Sequence, residues 1–157
     1  MTRLYGRGKK GERVKDYVPD VRFQRQSILS SVRLNGEMVP LVFSGTLNGD
    51  IFKEYITHCL APTLSEGDIV IMDNLSSHKV TGVIEAISAR GASVLYLPPY
   101  SPDFNPIELK WAKVKTFLKK ARSKTLDLLD SAIAQSLDLV SAADILGWFT
   151  HCGYCKC

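Results

Sequence analysis

At 157 residues, 45% of them hydrophobic and 23% charged, the chain is long enough for one globular domain that buries about two-thirds of its unfolded surface. No apolar run approaches the roughly 20 residues that cross a bilayer, and the basic N-terminus has no apolar stretch behind it, so neither a membrane span nor a secretory signal is read and a cytoplasmic location is expected. The net charge is only +4, but nine Lys/Arg stand against three acids within residues 1–33, a distribution that suits a polyanionic partner.

In chain order, residues 1–23 form a basic, glycine-containing segment with neither helical nor strand periodicity. Ser27–Leu34 and Met38–Phe43 are strand-like and flank Asn35-Gly36, the strongest short hairpin signal. Asn48-Gly49-Asp50 then opens a helix whose apolar residues Phe52, Tyr55, Ile56, Cys59 and Leu60 share one face, with Pro62 as its end. Ile69–Met72 reads as a strand buried on both faces, stopping at Asp73-Asn74.

A second amphipathic helix presents Val80, Val83, Ile84 and Ile87, with Gly91 just past its end. Ser93–Leu97 is a further strand, halted by Pro98-Pro99. Asn105 is placed to cap a helix with Pro106 at its first position and Ile107, Trp111, Val114 and Leu118 as its buried stripe. That helix carries a second basic cluster: Lys110, Lys113, Lys115, Lys119 and Lys120, continued by Arg122 and Lys124. Leu126, Leu129, Ile133, Leu137 and Val140 mark another helix, and Ser141-x-x-Asp144 the capping box of a last one. Helices and strands alternating after a hairpin predict an α/β fold, a mixed sheet covered by helices.

Three of the four cysteines, Cys152, Cys155 and Cys157, crowd beside His151. Ligands packed so closely leave little chain to wrap a zinc ion, and reduced thiols are expected. A small zinc-binding module is the reading that would require otherwise.

Two carboxylates draw the argument toward chemistry. Asp73 stands at the carboxyl end of a strand, where ligands collect in open α/β sheets, although such a residue also serves simply to turn the chain. Glu108 fits the third position of a capping box. Yet the approach to it, Pro98-Pro99-Tyr100-Ser101-Pro102-Asp103-Phe104-Asn105-Pro106, has four prolines in nine residues. That stiffness exceeds what a cap requires and suits a carboxylate that must be held in place.

Met72–His78, the run Leu97–Glu108, and then Trp111 and Lys115 resemble the DDE-superfamily transposases of bacterial insertion sequences related to mariner. The thirty-four residues between Asp73 and Glu108 agree with that family's interval. The basic opening, the Asn48-Gly49 helix start and His151-Cys152-Gly153-Tyr154 are similar too. The resemblance implies a ribonuclease H-like mixed sheet with flanking helices, and three acids holding two Mg²⁺ or Mn²⁺ ions, hard cations that prefer oxygen ligands.

Asp73 and Glu108 match the second and third of those acids. His78 would sit near the scissile phosphate, unless it is a histidine facing solvent at a helix start, and Asn74 and Asn105 would orient the ligands. Lys113, Lys115 and Lys119, with Arg7, Lys9 and Lys10 of the basic opening, would contact the DNA backbone. The partners implied are element-end and target DNA, in a homodimer associated with the nucleoid when bound.

The family's first acid lies on its first strand, upstream of a basic segment that here is Arg3–Arg13; Asp16 and Asp20 fall after it. The expectation is therefore a sheet whose first, central strand is missing from this sequence, which would leave the chain poorly stable or dependent on an upstream transposase segment for that strand. Residues 24–151 are assigned to the catalytic domain and 152–157 to a cysteine-containing tail. The alternative function is a catalytically inactive transposase fragment that binds DNA or the full transposase.

Overall fold

The computed structural model describes residues 7–15 and 25–155. These residues fall into two compact units. The larger is built from Gln24–Leu109 with Ser141–Cys157, and the smaller from Lys110–Val140 with the N-terminal segment.

In the larger unit, β1 (Gln26–Leu29) and β2 (Leu41–Ser44) pair antiparallel, with Ser27 opposite Phe43 and Ile28 opposite Val42. A turn forms at Asn35-Gly36, but as a three-residue loop rather than a two-residue one: only Gly36 takes a positive φ, 94°, and Arg33 N–H donates to Glu37 O at 2.9 Å. The ladder itself is shorter than the apolar pattern suggested. Pro40 has no N–H to give a ladder, and Arg33 turns away to Asp68, with Nη2 2.6 Å from both carboxylate oxygens. The Asp68 carboxyl is held below its ordinary value by the backbone N–H of Ser65 first and by Arg33 after it.

Helix α1 (Gly49–Tyr55) begins where Asn48 Oδ1 accepts from Ile51 N–H at 2.8 Å. Gly49 is required at this start, because a Cβ there would run into the side chain of Val80. Pro62 does not end the helix directly. The chain continues through a π-helical turn (Ile56–Leu60) and a 3-10 turn (Ala61–Thr63) that contains the proline.

The expected face is buried, with Phe52, Tyr55, Ile56 and Leu60 inside and Cys59 half-buried. They join Met72, Val83, Ile87 and Ala92 in one core. Val83 and Ile87 are fully buried, and each such side chain contributes about 1.5–3 kcal/mol relative to exposure.

The second helix is α2 (Val83–Ser88), one turn later than the periodicity placed it. Gly82 sits at φ 98° and Glu85 reaches back to its N–H at 2.8 Å, so the helix starts after the glycine. Val80 packs on the core from the preceding segment, and Ile84 is half exposed.

Strands β3 (Ile69–Met72) and β4 (Ser93–Tyr96) run parallel, Met72 opposite Tyr96. Only Met72 of β3 is buried, and Ile69 is exposed, so β3 is not covered on both faces as its apolar run suggested. Among the described residues the strands form two separate two-stranded sheets, β1-β2 and β3-β4. The alternation of strands and helices pointed to one mixed sheet. Among the described residues β2 and β3 are each paired on one side only.

Helix α3 (Pro106–Ala121) starts in the larger unit and continues into the smaller one. Helix α4 (Leu126–Asp138) is capped by Thr125 and buries Ala132, Ile133 and Leu137. Val114 and Leu118 of α3 are buried as expected, while Ile107 and Trp111 are half-buried.

Lys110 departs from its reading as part of an exposed basic face. It is completely buried, its Nζ 5.1 Å from the Trp111 ring centroid, and burial pushes its pKa down to about 8. Helix α5 (Ala142–His151) has the predicted box, Ser141 Oγ accepting from Asp144 N–H at 3.2 Å and Asp144 Oδ2 from Ser141 N–H at 2.8 Å. Among the described residues no helix is long and apolar enough to cross a membrane.

Candidate active site

Strand β3 ends at Asp73, β4 at the proline loop, and α3 begins with Asn105 as its cap. These three ends bound an open cleft of about 480 Å³, with Asp73, Asn74, Asn105 and Glu108 among its walls. All four belong to the larger unit.

Both bland readings of the acids are weakened by the geometry. Asn105 Oδ1 accepts from Ile107 N–H at 3.3 Å, and Asn105 N–H itself donates to Pro102 O at 2.9 Å. The Glu108 carboxylate therefore does not close a capping box, and it faces the cleft. Asp73 makes one long turn contact, accepting from Leu75 N–H at 3.4 Å, with its side chain 41% exposed.

His78 lies on the short 3-10 turn Ser76–Lys79 that follows. Its imidazole is stacked on Phe52 of α1, centroids 4.1 Å apart and planes 26° apart. The solvent-facing alternative fails, since the side chain is only 14% exposed. Nδ1 is 2.7 Å from Asp73 Oδ1, but hydrogen-bond angles are not met, and this buried nitrogen has no hydrogen-bond partner. Tyr96 of β4 fixes the same turn from behind, its hydroxyl donating to His78 O at 3.0 Å.

The proline loop carries its own anchors. Pro102–Phe104 form a 3-10 turn, and Tyr154, beyond α5, donates its hydroxyl to Phe104 O at 2.8 Å. The neighbouring Cys152 is buried, and its thiol pKa is raised by that burial first and by the charge of Asp103 second. Among the described residues Cys59, Cys152 and Cys155 are free thiols, and His, Cys, Asp and Glu nowhere gather in a group of three or more fit to hold a metal. Cys157, Asp16 and Asp20 lie outside the described residues.

Arg7, Lys9 and Lys10 are exposed, as are Lys115 and Lys119. Lys113 is already engaged, donating Nζ to Leu139 O at 2.7 Å. All six belong to the smaller unit.

Three residues of the site, Phe52, Leu75 and Tyr100, had no assigned functional role in the sequence. Phe52 read only as a core residue, although it orients His78. Leu75 and Tyr100, both within the quoted motifs, had no assigned role, yet both line the cleft with exposed side chains. Tyr100 also had one local clue, a bulky residue confined between Pro99 and Ser101-Pro102.

Among the described residues of the larger unit, the cleft lining contains two carboxylates, two asparagines and several prolines, with no lysine, arginine or histidine. Such a lining repels a phosphate by itself and attracts cations. A search of curated proteins finds no match to this chain. Residues 1–130 match the family described as DDE superfamily endonuclease, and with most of its length covered by that match the chain belongs to this family of DNA-acting nucleases.

Proposed function

We propose that the cleft is the catalytic centre of a cut-and-paste transposase of mariner-related bacterial insertion sequences, cleaving and transferring DNA strands with divalent metal ions. One observation carries the reading. Asp73 and Glu108, from two different elements, face one cleft that no cationic side chain of the larger unit's described residues lines, with His78 Nδ1 2.7 Å from Asp73 Oδ1. A phosphodiester enters such a place only if positive charge comes with it.

The residues suit Mg²⁺ or Mn²⁺, which take oxygen ligands and are commonly held by one or two carboxylates plus substrate phosphate. Asp73 and Glu108 would hold the metal. A third carboxylate would complete a site for two ions. When bound, the ions supply charge that stabilises the attacking and leaving oxygens of an in-line displacement.

The chain's own residues do the rest. Asn74 and Asn105 present amide groups beside the two acids and orient them. His78, clamped by Phe52, restricts the swing of the Asp73 carboxylate. In the first step water forms a new P–O bond at the element end and the P–O3′ bond breaks, freeing a 3′-hydroxyl. In the second, that hydroxyl oxygen attacks a target phosphodiester and displaces the target's 3′-oxygen; each nucleophile's proton passes to solvent.

On the same reading, the two small sheets are parts of one ribonuclease H-like sheet, and a strand bearing the first acid pairs between β2 and β3. Lys115, Lys119, Arg7, Lys9 and Lys10, all exposed, contact the DNA backbone, and two copies of the protein hold the two element ends. Mn²⁺ titration followed by NMR tests the site. Amide signals of Leu75 and Asn105 are expected to broaden first, and to stop doing so in Asp73→Asn and Glu108→Gln. Broadening that ignores both substitutions overturns the assignment.

A further inference from the structure

The walls of the cleft divide by chemistry. Its acids, Asp73 and Glu108, sit with the two asparagines, whereas its apolar side chains include Leu75 and Tyr100. Leu75 is 53% exposed and Tyr100 103% exposed. Tyr100 therefore gains nothing from burial, and it occupies the left-handed region at φ 57°, uncommon for a bulky L-residue. Backbone strain at a ligand-facing position is a pointer to function when the surroundings impose it. Here they do: Pro98 and Pro99 precede Tyr100, Pro102 follows two residues later, and Tyr154 ties down Phe104 O. The loop presents an aromatic face at little further cost in conformational entropy.

Leu75 has nothing to offer a phosphate, and Tyr100 offers it only the hydroxyl at the tip of its ring, leaving the ring face for another part of the nucleotide. A ring held out beside phosphate-cleaving carboxylates does suit the neighbouring part of a nucleotide, its base, because every base has a π-face on which an aromatic side chain stacks. A leucine lining the same cleft suits the apolar wedge that proteins insert between base steps.

Resting on the reading of the cleft as a DNA-cleaving site, we propose that Tyr100 is a stacking platform for an unpaired base next to the phosphate being cleaved, with Leu75 as the wedge that keeps the base out of its duplex. The preferred substrate is then DNA locally unpaired at the cleavage position. Base identity is not read, since the lining residues that form the platform carry no side-chain donor aimed by a partner. The Tyr100 hydroxyl is dispensable.

The full-length chain is tested with Ca²⁺ in place of Mg²⁺ on two probes: a matched duplex, and the same duplex with a two-nucleotide mismatch containing 2-aminopurine. Affinity is read by anisotropy and stacking by 2-aminopurine fluorescence. The unaltered chain is expected to bind the mismatched probe about tenfold more tightly, in line with stacking on aromatic side chains. Tyr100→Phe and Tyr100→Trp keep that preference, and Tyr100→Ala loses it together with the fluorescence change.

Tyr100→Gly separates ring from backbone, because it relieves the left-handed strain while removing the ring; it is expected to behave like Tyr100→Ala. A preference that survives Tyr100→Ala, or a loss shared equally by both probes, overturns the proposal. Binding of matched duplex as tightly as mismatched overturns this inference alone. No binding of either probe overturns both it and the assignment of the cleft to DNA.

Discussion

The imidazole of His78 lies against the ring of Phe52, centroids 4.1 Å apart, and that stack sets Nδ1 2.7 Å from Asp73 Oδ1. A core residue of α1 thus determines where a side chain of the candidate site stands. Phe52→Ala is expected to lower unfolding free energy by about 3–5 kcal/mol, as large-to-small core substitutions of phenylalanine do, measured by urea denaturation. Phe52→Leu, closer in volume, should cost far less while still removing the stack. The His78 ring proton signals should move in that variant as the upfield ring-current contribution of Phe52 disappears. Unmoved signals would show that the stack does not form.

Tyr154 and Phe104, fifty positions apart, are joined by one hydrogen bond of 2.8 Å. Tyr154→Phe removes only the hydroxyl and leaves the edge-to-face packing on Phe149. The expected loss in global stability is about 1 kcal/mol. The local effect should be larger, seen as faster amide exchange at Phe104 and Asn105, whose N–H groups close the 3-10 turn onto Ser101 O and Pro102 O.

Arg33 and Asp68 give the fold a defined acid dependence. The Asp68 carboxyl is held below its ordinary value of 3.8 by Ser65 N–H and then by Arg33. A depressed carboxyl pKa contributes stability that is fully present above the unfolded value and lost as pH falls through the lower folded one. Asp68→Asn should therefore be less stable than the unaltered protein at pH 7, and the two should converge below about pH 3.8. Urea midpoints across pH 2–7 check this; a difference that persists undiminished at the acid end contradicts it.

The lysines of α3 should separate by role. Lys115 and Lys119 are exposed, whereas Lys113 donates to Leu139 O and Lys110 is buried. Replacing Lys115 and Lys119 by Ala should weaken DNA binding and reduce the slope of log affinity against log salt by up to about 0.9 per lysine. Lys113→Ala should instead lower the melting temperature, with less effect on that slope. Equal slopes in all these variants would remove α3 from the DNA-contacting surface.

The two acids were legible because both signals are local: a strand that stops at Asp73, and a proline-stiffened approach to Glu108 at a recognisable interval. Helix starts at Asn48 and Ser141 follow from the same short-range chemistry, and the cap at Thr125 is found only in the structure. The hydrogen-bonded partners of strands do not, since pairing joins segments far apart in sequence; hence two small sheets stand where one was expected. The clamp on His78 was hidden for that reason, Phe52 being twenty-six positions earlier. Lys110 was misread because spacing along a basic helix does not tell which lysine faces inward. Leu75 and Tyr100 were visible as residues but not as walls of one cleft, a property that exists only once β3, β4 and the start of α3 converge.

The central claim is that Asp73 and Glu108 work together at a metal-dependent DNA-cleaving centre. Nicking of supercoiled plasmid in Mn²⁺ measures it most directly, with EDTA as the metal-free control. The chain extended upstream by a strand bearing the first acid is expected to nick DNA only with metal present, and Asp73→Asn and Glu108→Gln each to abolish nicking while melting at an unchanged temperature. Cleavage by the extended chain that persists in either variant, or that proceeds without metal, would contradict it.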